Sequence, residues 1–367
     1  MLSVIWPFNS EDVGAIIKIL LLPITLIYTL ISLLRNFLYD VGILNSKSYS
    51  FPLITIGNLS VGGTGKTPHT EYIIDQLNDQ YRMAVLSRGY KRDSKGYKLA
   101  NERDDASSIG DEPYQIFNKF KKITVAVDEK RRRGIAKLRE LNPPPDIILL
   151  DDALQHRAVK AGLNILLTDY TIPYTEDIPL PSGRLREPRR GAKRADIIVV
   201  TKSPEVLSPL EIRRIISIIN PEAYQKVFFS YIDYQKLKPI NEAAKRIWQK
   251  KNPMGSYSFL LVSAIANPKP LLLYLKRHAK EVKPLSFNDH HFFTEKDYQK
   301  INEEFEDIFS NKKALIITEK DATKIDLELI GDIPLFILPI KIGFHKHGED
   351  DFISEIKEYV RSYTGVS

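Results

Sequence analysis

The stretch ITIGNLSVGGTGKTPHTEYI, residues 54–73, decides how the rest of the chain is read. A short apolar run leads into Val61-Gly62-Gly63-Thr64-Gly65-Lys66-Thr67, and a helical pattern follows at His69–Leu77. Glycines let backbone N–H groups curl around phosphate oxygens, and the helix N-terminus adds the positive end of its dipole. In this frame Gly62, Gly63, Thr64 and Gly65 form the cradle, Lys66 reaches the β- and γ-phosphates of ATP, and the Thr67 hydroxyl ligates Mg²⁺. The strict pattern wants one more glycine five residues before Gly65, where Ser60 stands. The Gly62-Gly63 pair is expected to compensate.

Outward from this loop, short apolar runs alternate with amphipathic stretches. PLITIG (52–57), MAVLSRG (83–89), ITVAV (123–127), DIILLDD (146–152), LNILLTD (163–169) and ADIIVVTK (195–202) read as strands. Fully apolar strands alternating with helices imply a parallel sheet covered on both faces. Residues 231–255 are polar and lysine-rich and end in Lys250-Lys251-Asn252-Pro253, which reads as a linker or β-ribbon. A second series follows: strands at 258–265, 313–321 and 333–340, and helices at Pro270–His278 and Asp350–Tyr363. The expected fold class is α/β, a P-loop NTPase-type parallel-sheet domain with a second, smaller α/β domain and an N-terminal amphipathic, membrane-associated helix. The expected division is an N-terminal segment over 1–45, a P-loop kinase domain over 46–230, a linker over 231–257 and a smaller domain over 258–367.

Composition sets the outer limits. The chain has 367 residues, enough for two domains, and 43% of them are hydrophobic, enough for a packed core. It holds no cysteine, which excludes disulfides and thiolate metal sites. A formal charge of +7 suits phosphorylated or anionic partners as well as a plain solvated surface. Residues 13–34, VGAIIKILLLPITLIYTLISLL, carry 16 uncharged residues between Lys18 and Arg35, short for a spanning helix. A buried core helix is one reading. A helix lying in a membrane interface is the preferred one, because Trp6, Phe8, Tyr28, Phe37 and Tyr39 flank or interrupt the run and Lys18 and Arg35 can snorkel.

Further groups carry chemistry. In DIILLDDALQHR (146–157), Asp151 and Asp152 end an apolar strand, as acids that hold Mg²⁺ do, although paired acids there also cap helices. Gly110-Asp111-Glu112-Pro113 offers Asp111 as the base that a hydroxyl-phosphorylating enzyme needs; alone it is a turn with a capping aspartate. The loop Leu180–Pro188 carries Arg184 and Arg186, whose forked donors suit phosphate. DEKRRRG (128–134) reads as a solvated helix face. The pair His290-His291 lacks further ligands at metal spacing, so an Asp–His proton-transfer pair is the more plausible use. ITEKDATK (317–324) follows a strand and is expected to structure the same cleft.

Taken in order, GNLSVGGTGKTP, SRGY, GDEP, DDALQHR, LPSGRLREP, FNDHH and TEKDATK resemble the tetraacyldisaccharide 4'-kinase family, the lipid A 4'-kinases, over about residues 5 to 345. The family usually has DDGFQHR where Ala153-Leu154 stand here. The resemblance implies transfer of the ATP γ-phosphate to the 4'-hydroxyl of a tetraacylated glucosamine disaccharide 1-phosphate. It also implies Mg²⁺, a two-domain cleft and a peripheral protein on the cytoplasmic face of an inner membrane. Nucleic acid and an obligate protein partner are not expected. By the same resemblance Asp111 pairs with His290, or with His291, across two domains that close together. Lys66 assists the chemistry, Thr67, Asp151, Asp152 and Glu112 form the metal set, and Arg88, Gln155, Arg184 and Arg186 meet the substrate. The alternatives are a P-loop ATPase acting as a switch or assembly factor, and a nucleic-acid enzyme suggested by the pI of 9.1.

Overall fold

Runs of Leu, Ile and Val without polar alternation lose least when both faces are covered. In the computed structural model, which describes residues 17–247, 254–345 and 348–364, such runs form the sheets. The first part of the chain forms α1 (Leu22–Asp40), β1 (Leu53–Asn58), α2 (Lys66–Leu77), β2 (Met83–Ser87), β3 (Lys98–Leu99), α3 (Ala106–Ile109), α4 (Asp111–Lys119), β4 (Thr124–Val127), α5 (Arg131–Arg139) and β5 (Ile147–Asp151). Then come β6 (Leu163–Asp169), β7 (Ile197–Thr201), α6 (Pro209–Ile219), β8 (Lys226–Tyr234), β9 (Lys238–Pro239) and α7 (Glu242–Ile247). The remainder is β10 (Ser258–Ser263), α8 (Lys269–His278), β11 (Glu281–Ser286), α9 (Glu295–Glu306), β12 (Lys313–Ile317), α10 (Glu319–Ala322), α11 (Leu327–Ile330), β13 (Leu335–Ile337), β14 (Ile340–Phe344) and α12 (Gly348–Thr364).

These elements fall into two compact units that do not follow the linear division expected from sequence. One holds the described residues of 1–86, 131–231 and 343–367; the other holds 87–130 and 232–342. Residues 87–130, expected in the kinase domain, therefore fold with the second unit. Helix α12, expected in the C-terminal domain, folds with the first. The segment expected to be a linker contributes β9, paired antiparallel with β13, and α7, which buries Ala244; Lys250–Pro253 lies outside the described residues.

In the first unit the strand order runs β8-β7-β6-β1-β5-β2, every neighbouring pair parallel. Strands β1, β2, β5 and β7 are buried at every position. The register sets Ile56 of β1 beside Asp151 of β5, so the glycine loop and the acid pair leave the same end of neighbouring strands. Helix α6 covers one face with Ile215 and Ile219 against Leu166, Ile198 and Val200. Its start is capped by Ser208, which accepts from Glu211 N, and Pro209 takes the first turn, where a missing N–H costs nothing.

Helix α1 is built the opposite way from a core helix. Of its residues only Thr25 is buried, while Ile24, Leu26, Ile27, Leu30, Ile31, Leu34 and Phe37 are exposed. Its polar residues recur three to four positions apart and face the protein. Thr25 Oγ1 donates to Ser182 Oγ at 2.7 Å and accepts from Ser182 N at 3.0 Å. Asn36 donates to Glu187 at 3.1 Å, and Asp40 accepts from Arg157 at 2.6 Å. The buried-core reading of this segment is thereby corrected. The helix is long and apolar enough by length and composition to cross a membrane, and residues 13–16, with Trp6 and Phe8, lie outside the described residues.

The second unit has a sheet ordered β11-β10-β12-β13-β9. Alternation along β10 sends Phe259 and Leu261 to the face covered by Leu271 and Leu275 of α8. Leu260 and Val262 go to the face covered by Tyr298, Ile301 and Phe305 of α9. Strands β3 and β4 pair antiparallel in the same unit.

Helix α12 is joined to the first unit at the start of β1. The Tyr359 hydroxyl donates to Leu53 O at 3.1 Å and accepts from Leu53 N at 3.0 Å. Leu53 is buried and its carbonyl also accepts from Gly162 N at 3.1 Å, so the loss of the hydroxyl falls mainly on the Leu53 N–H. Tyr359→Phe is expected to cost about 1–3 kcal/mol of unfolding free energy, read from urea midpoints; an unchanged midpoint would mean that α12 contributes nothing through this contact.

Candidate active site

The glycine loop takes its shape from two left-handed positions, Gly62 (φ 103°) and Gly65 (φ 88°). Gly65 is also the N-cap of α2. Ser60 is not among the residues with positive φ, so it needs no glycine there. It makes an antiparallel bridge to Leu185 instead, with Val61 N donating to Arg184 O and Arg186 N to Leu59 O, both at 2.7 Å. That bridge clamps the arginine loop to the glycine loop and explains the departure from the strict pattern. Buried Asn58 donates to Thr64 Oγ1 at 2.8 Å, and Thr67 is buried in the first turn of α2.

Asp152 stands where these pieces converge. It takes a left-handed backbone (φ 49°) just beyond β5. Arg186 Nη1 lies 2.8 Å from each of its carboxylate oxygens, and Lys66 Nζ lies 3.7 Å from one. Burial pushes this carboxyl up, but the charges of Lys66 and Arg186 outweigh it and hold the group below the usual carboxylate range. Asp151 is buried, and Arg131 donates to its carbonyl at 3.3 Å. The expectation of a solvated face over 128–134 fails at Arg131, which is 2% exposed. A run of arginines gives no sign of which one turns inward.

The other residues expected at the substrate differ in their engagements. Gln155 Nε2 donates to Asn58 O at 2.8 Å and to Glu187 Oε1 at 3.0 Å, so this amide braces the site from inside rather than facing outward. Arg184 Nε donates to Asp177 at 2.9 Å, with its side chain 43% exposed. Arg88 is exposed and belongs to the second unit, as does Glu112, half-buried in the first turn of α4. Among the described residues no group of three or more His, Asp or Glu side chains is placed to hold a metal ion. The oxygen ligands that the fold brings to this end of the sheet are the Thr67 hydroxyl and the two acids that end β5. Hard oxygen ligands of this kind, with one or two carboxylates, suit Mg²⁺, which takes its remaining ligands from phosphates and water.

In the second unit Asp111 and His290 are already together. His290 Nδ1–H donates to Asp111 Oδ2 at 3.0 Å. The expectation that they lie in different domains and meet on closure is corrected: 87–130 folds with 232–342, so one unit holds both. Asp111 opens α4 after Gly110, whose φ is 96° and whose added Cβ would lie 3.3 Å from Gly89 Cα. The SRGY and GDEP turns thus pack back to back. His290 also adopts a left-handed backbone, φ 62°, and its ring meets Tyr90 edge-on at 5.6 Å. His291 points elsewhere, with Nε2 at 2.9 Å from Asp297 and its ring stacked on Phe287. The geometry therefore pairs His290 with Asp111 and gives His291 to the cap of α9.

Two lysines that sequence reasoning left unused adjoin this pair. Lys324 Nζ lies 3.1 Å from Asp111 Oδ2, and its side chain is wholly buried. Lys320 Nζ donates to His290 Nε2 at 3.2 Å and to Asp289 at 3.1 Å. An ammonium has no acceptor to offer, so in this contact Nε2 is the acceptor, and Nδ1 is the nitrogen that donates to Asp111. Burial raises the Asp111 carboxyl, but the His290 hydrogen bond and the Lys324 charge bring it below the ordinary value. The available signal was two lysines four residues apart in the TEKDATK turn.

His69, one turn into α2, was likewise unforeseen. Its Nδ1–H donates to Gly65 O at 2.7 Å, and the Ser230 hydroxyl donates to Nε2 at 2.9 Å. Burial pushes the imidazole down from 6.5 to about 4. A ring that stays neutral when folded gives stability that is fully present above pH 6.5 and is lost as the pH falls towards 4, by about 3 kcal/mol. In His69→Leu the unfolding free energy should fall less steeply over that window, measured by urea titration at stepped pH. An equal slope in both proteins would assign the acid sensitivity to other groups.

Three comparisons with known proteins agree. The family model described as "Tetraacyldisaccharide-1-P 4'-kinase" matches residues 17–360. The tetraacyldisaccharide 4'-kinase of Bacteroides thetaiotaomicron is 46% identical over 94% of this chain and 93% of its own length. That of Flavobacterium johnsoniae is 44% identical over 94% of this chain and 98% of its own. Among solved structures, the "apo" form of LpxK from Aquifex aeolicus in complex with ATP superposes with a TM-score of 0.69 at 28% identity, covering 94% of this chain and 99% of that one.

Proposed function

The chain belongs to the tetraacyldisaccharide-1-P 4'-kinase family, and from that premise we propose that it transfers the γ-phosphate of ATP to the 4'-hydroxyl of a tetraacylated disaccharide 1-phosphate in lipid A biosynthesis. The observation that carries the reading at the level of residues is the hydrogen bond between His290 Nδ1–H and Asp111. A sugar hydroxyl attacks poorly until a base orients it and takes its proton. His290 Nε2 accepts that proton once Lys320 gives up its hydrogen bond there, and Asp111 steadies the imidazolium that forms. The new bond joins the sugar oxygen to the γ-phosphorus, the bond to the bridging oxygen breaks, and ADP leaves. Lys66 and the glycine-loop N–H groups bind the phosphates, and Arg186 keeps Asp152 turned towards Lys66. Phosphoryl transfer depends mainly on such positioning and charge neutralisation. Thr67, Asp151 and Asp152 are the residues that would hold Mg²⁺, which when bound spreads the charge of the β- and γ-phosphates.

Lys66→Ala is expected to lower kcat by roughly a hundredfold or more, since it removes a charge that stabilises the transition state. The assay follows ADP release with and without the disaccharide 1-phosphate acceptor. ADP appearing in step with phosphorylated lipid supports the kinase. Equal ATP consumption without acceptor would instead favour the switch ATPase.

Helix α1 supports a place of action at a membrane surface. Its outward apolar face fits a bilayer interface at the cytoplasmic side of an inner membrane, where an acylated acceptor resides. Replacing Leu30, Ile31 and Leu34 together by Gln removes exposed apolar area but none of the polar docking contacts. The variant should bind vesicles at least about tenfold more weakly in sedimentation, since each side chain is worth about 1.5–3 kcal/mol on burial, while ATP binding stays unchanged. Undiminished sedimentation would move the membrane contact off α1.

A further inference from the structure

The TEKDATK turn brings a buried ammonium to the Asp111–His290 pair. Thr318 caps α10, accepting from Asp321 N at 3.1 Å and donating to Asp321 Oδ2 at 2.7 Å. Asp321 Oδ2 in turn accepts from Ala264 N at 3.2 Å, which ties the turn to the end of β10. His290 N donates to Ala264 O at 3.3 Å, so one residue anchors both the turn and the histidine. Lys119 in the last turn of α4 pairs with Glu319 at 3.1 Å, joining the helix that begins with Asp111 to the same turn. The result is Lys324 Nζ, with none of its side chain exposed, 3.1 Å from the oxygen that accepts from His290.

Packing does not account for this lysine. An ammonium withdrawn from water is costly, and an apolar side chain of similar volume would fill the space without that cost. It is explained if Asp111 has to stay in place as a carboxylate inside the protein. We propose that Lys324 is a positioning residue for the kinase reaction: by gripping Asp111 Oδ2 it holds the carboxylate in the orientation that receives the His290 Nδ1 proton. This inference rests on the reading of Asp111 and His290 as the base. Lys324 acts through Asp111 and touches neither ATP nor the acceptor.

The test measures kcat and both KM values for Lys324→Met and Lys324→Gln, alone and combined with Asp111→Asn, with His290→Ala and Asp111→Asn as references. Lys324→Met should lower kcat by about tenfold or more, a fraction of what loss of a general base costs. Both KM values should stay within about twofold, because the phosphate and lipid contacts are untouched. Lys324→Gln removes the charge but keeps a polar N–H group beside Oδ2 and should lose less. On the Asp111→Asn background either change should add under about twofold, as residues acting as one unit do. The inference is overturned if folded Lys324 variants keep kcat within about twofold of the parent while Asp111→Asn and His290→Ala are slow. Losses that multiply with Asp111→Asn overturn it as well. If Asp111→Asn and His290→Ala themselves turn over normally, the base reading is the part that fails, and this inference falls with it. Should Lys324→Met melt early, Lys324→Gln decides by the same criteria.

Discussion

A carboxylate taken out of water keeps its charge only when cations and N–H donors surround it. Each unit of this protein holds a carboxylate in this position, half-buried in the first and buried in the second. In the first, Asp152 is held between Lys66 and Arg186; in the second, Asp111 is held between His290 and Lys324. Each arrangement draws on chain segments far apart in sequence, so each constrains several loops at once. Arg186 reaches Asp152 because the arginine loop is bridged to the glycine loop through Ser60 and Leu185. Lys324 reaches Asp111 because α10 is capped by Thr318 and tied to β10 through Asp321. The unusual backbone of Asp152 and His290, both left-handed, is strain retained where the side chains must point.

The same economy joins helix α1 to the glycine-loop side of the first unit. The loop that carries Arg184 and Arg186 also carries Ser182 and Glu187, which receive Thr25 and Asn36 of α1. Polar side chains facing inward and apolar ones outward make sense only if something other than water meets the outer face. Helix α1 and the arginine loop are thus joined by direct hydrogen bonds.

Much of the local structure was legible because its causes are local. The strand that enters the glycine loop, the helix that leaves it and the acid pair at the end of β5 all follow from periodicity and composition over a few residues. Ser60 looked like a defect of the motif, and is a bridge partner. Gln155 looked outward by analogy and is turned inward by Asn58 and Glu187. Arg131 was indistinguishable from its neighbours until the packing of α5 buried it. His290 and His291 are adjacent and chemically equal in sequence; only the left-handed turn at His290 separates their directions.

By itself the sequence determined an α/β protein with a phosphate-cradling loop at a strand end, no thiol chemistry and an apolar segment upstream. These are consequences of side-chain periodicity, glycine placement and composition, which act over short distances. The tertiary structure alone decided which pieces of chain share a core. It sent residues 87–130 to the unit of 232–342 and returned α12 to β1 through Tyr359. It thereby placed Asp111 beside His290 and Lys324 within one unit. The reason is physical: burial of apolar strand faces and pairing of buried charges are satisfied by whatever segments reach, and sequence distance does not enter that requirement.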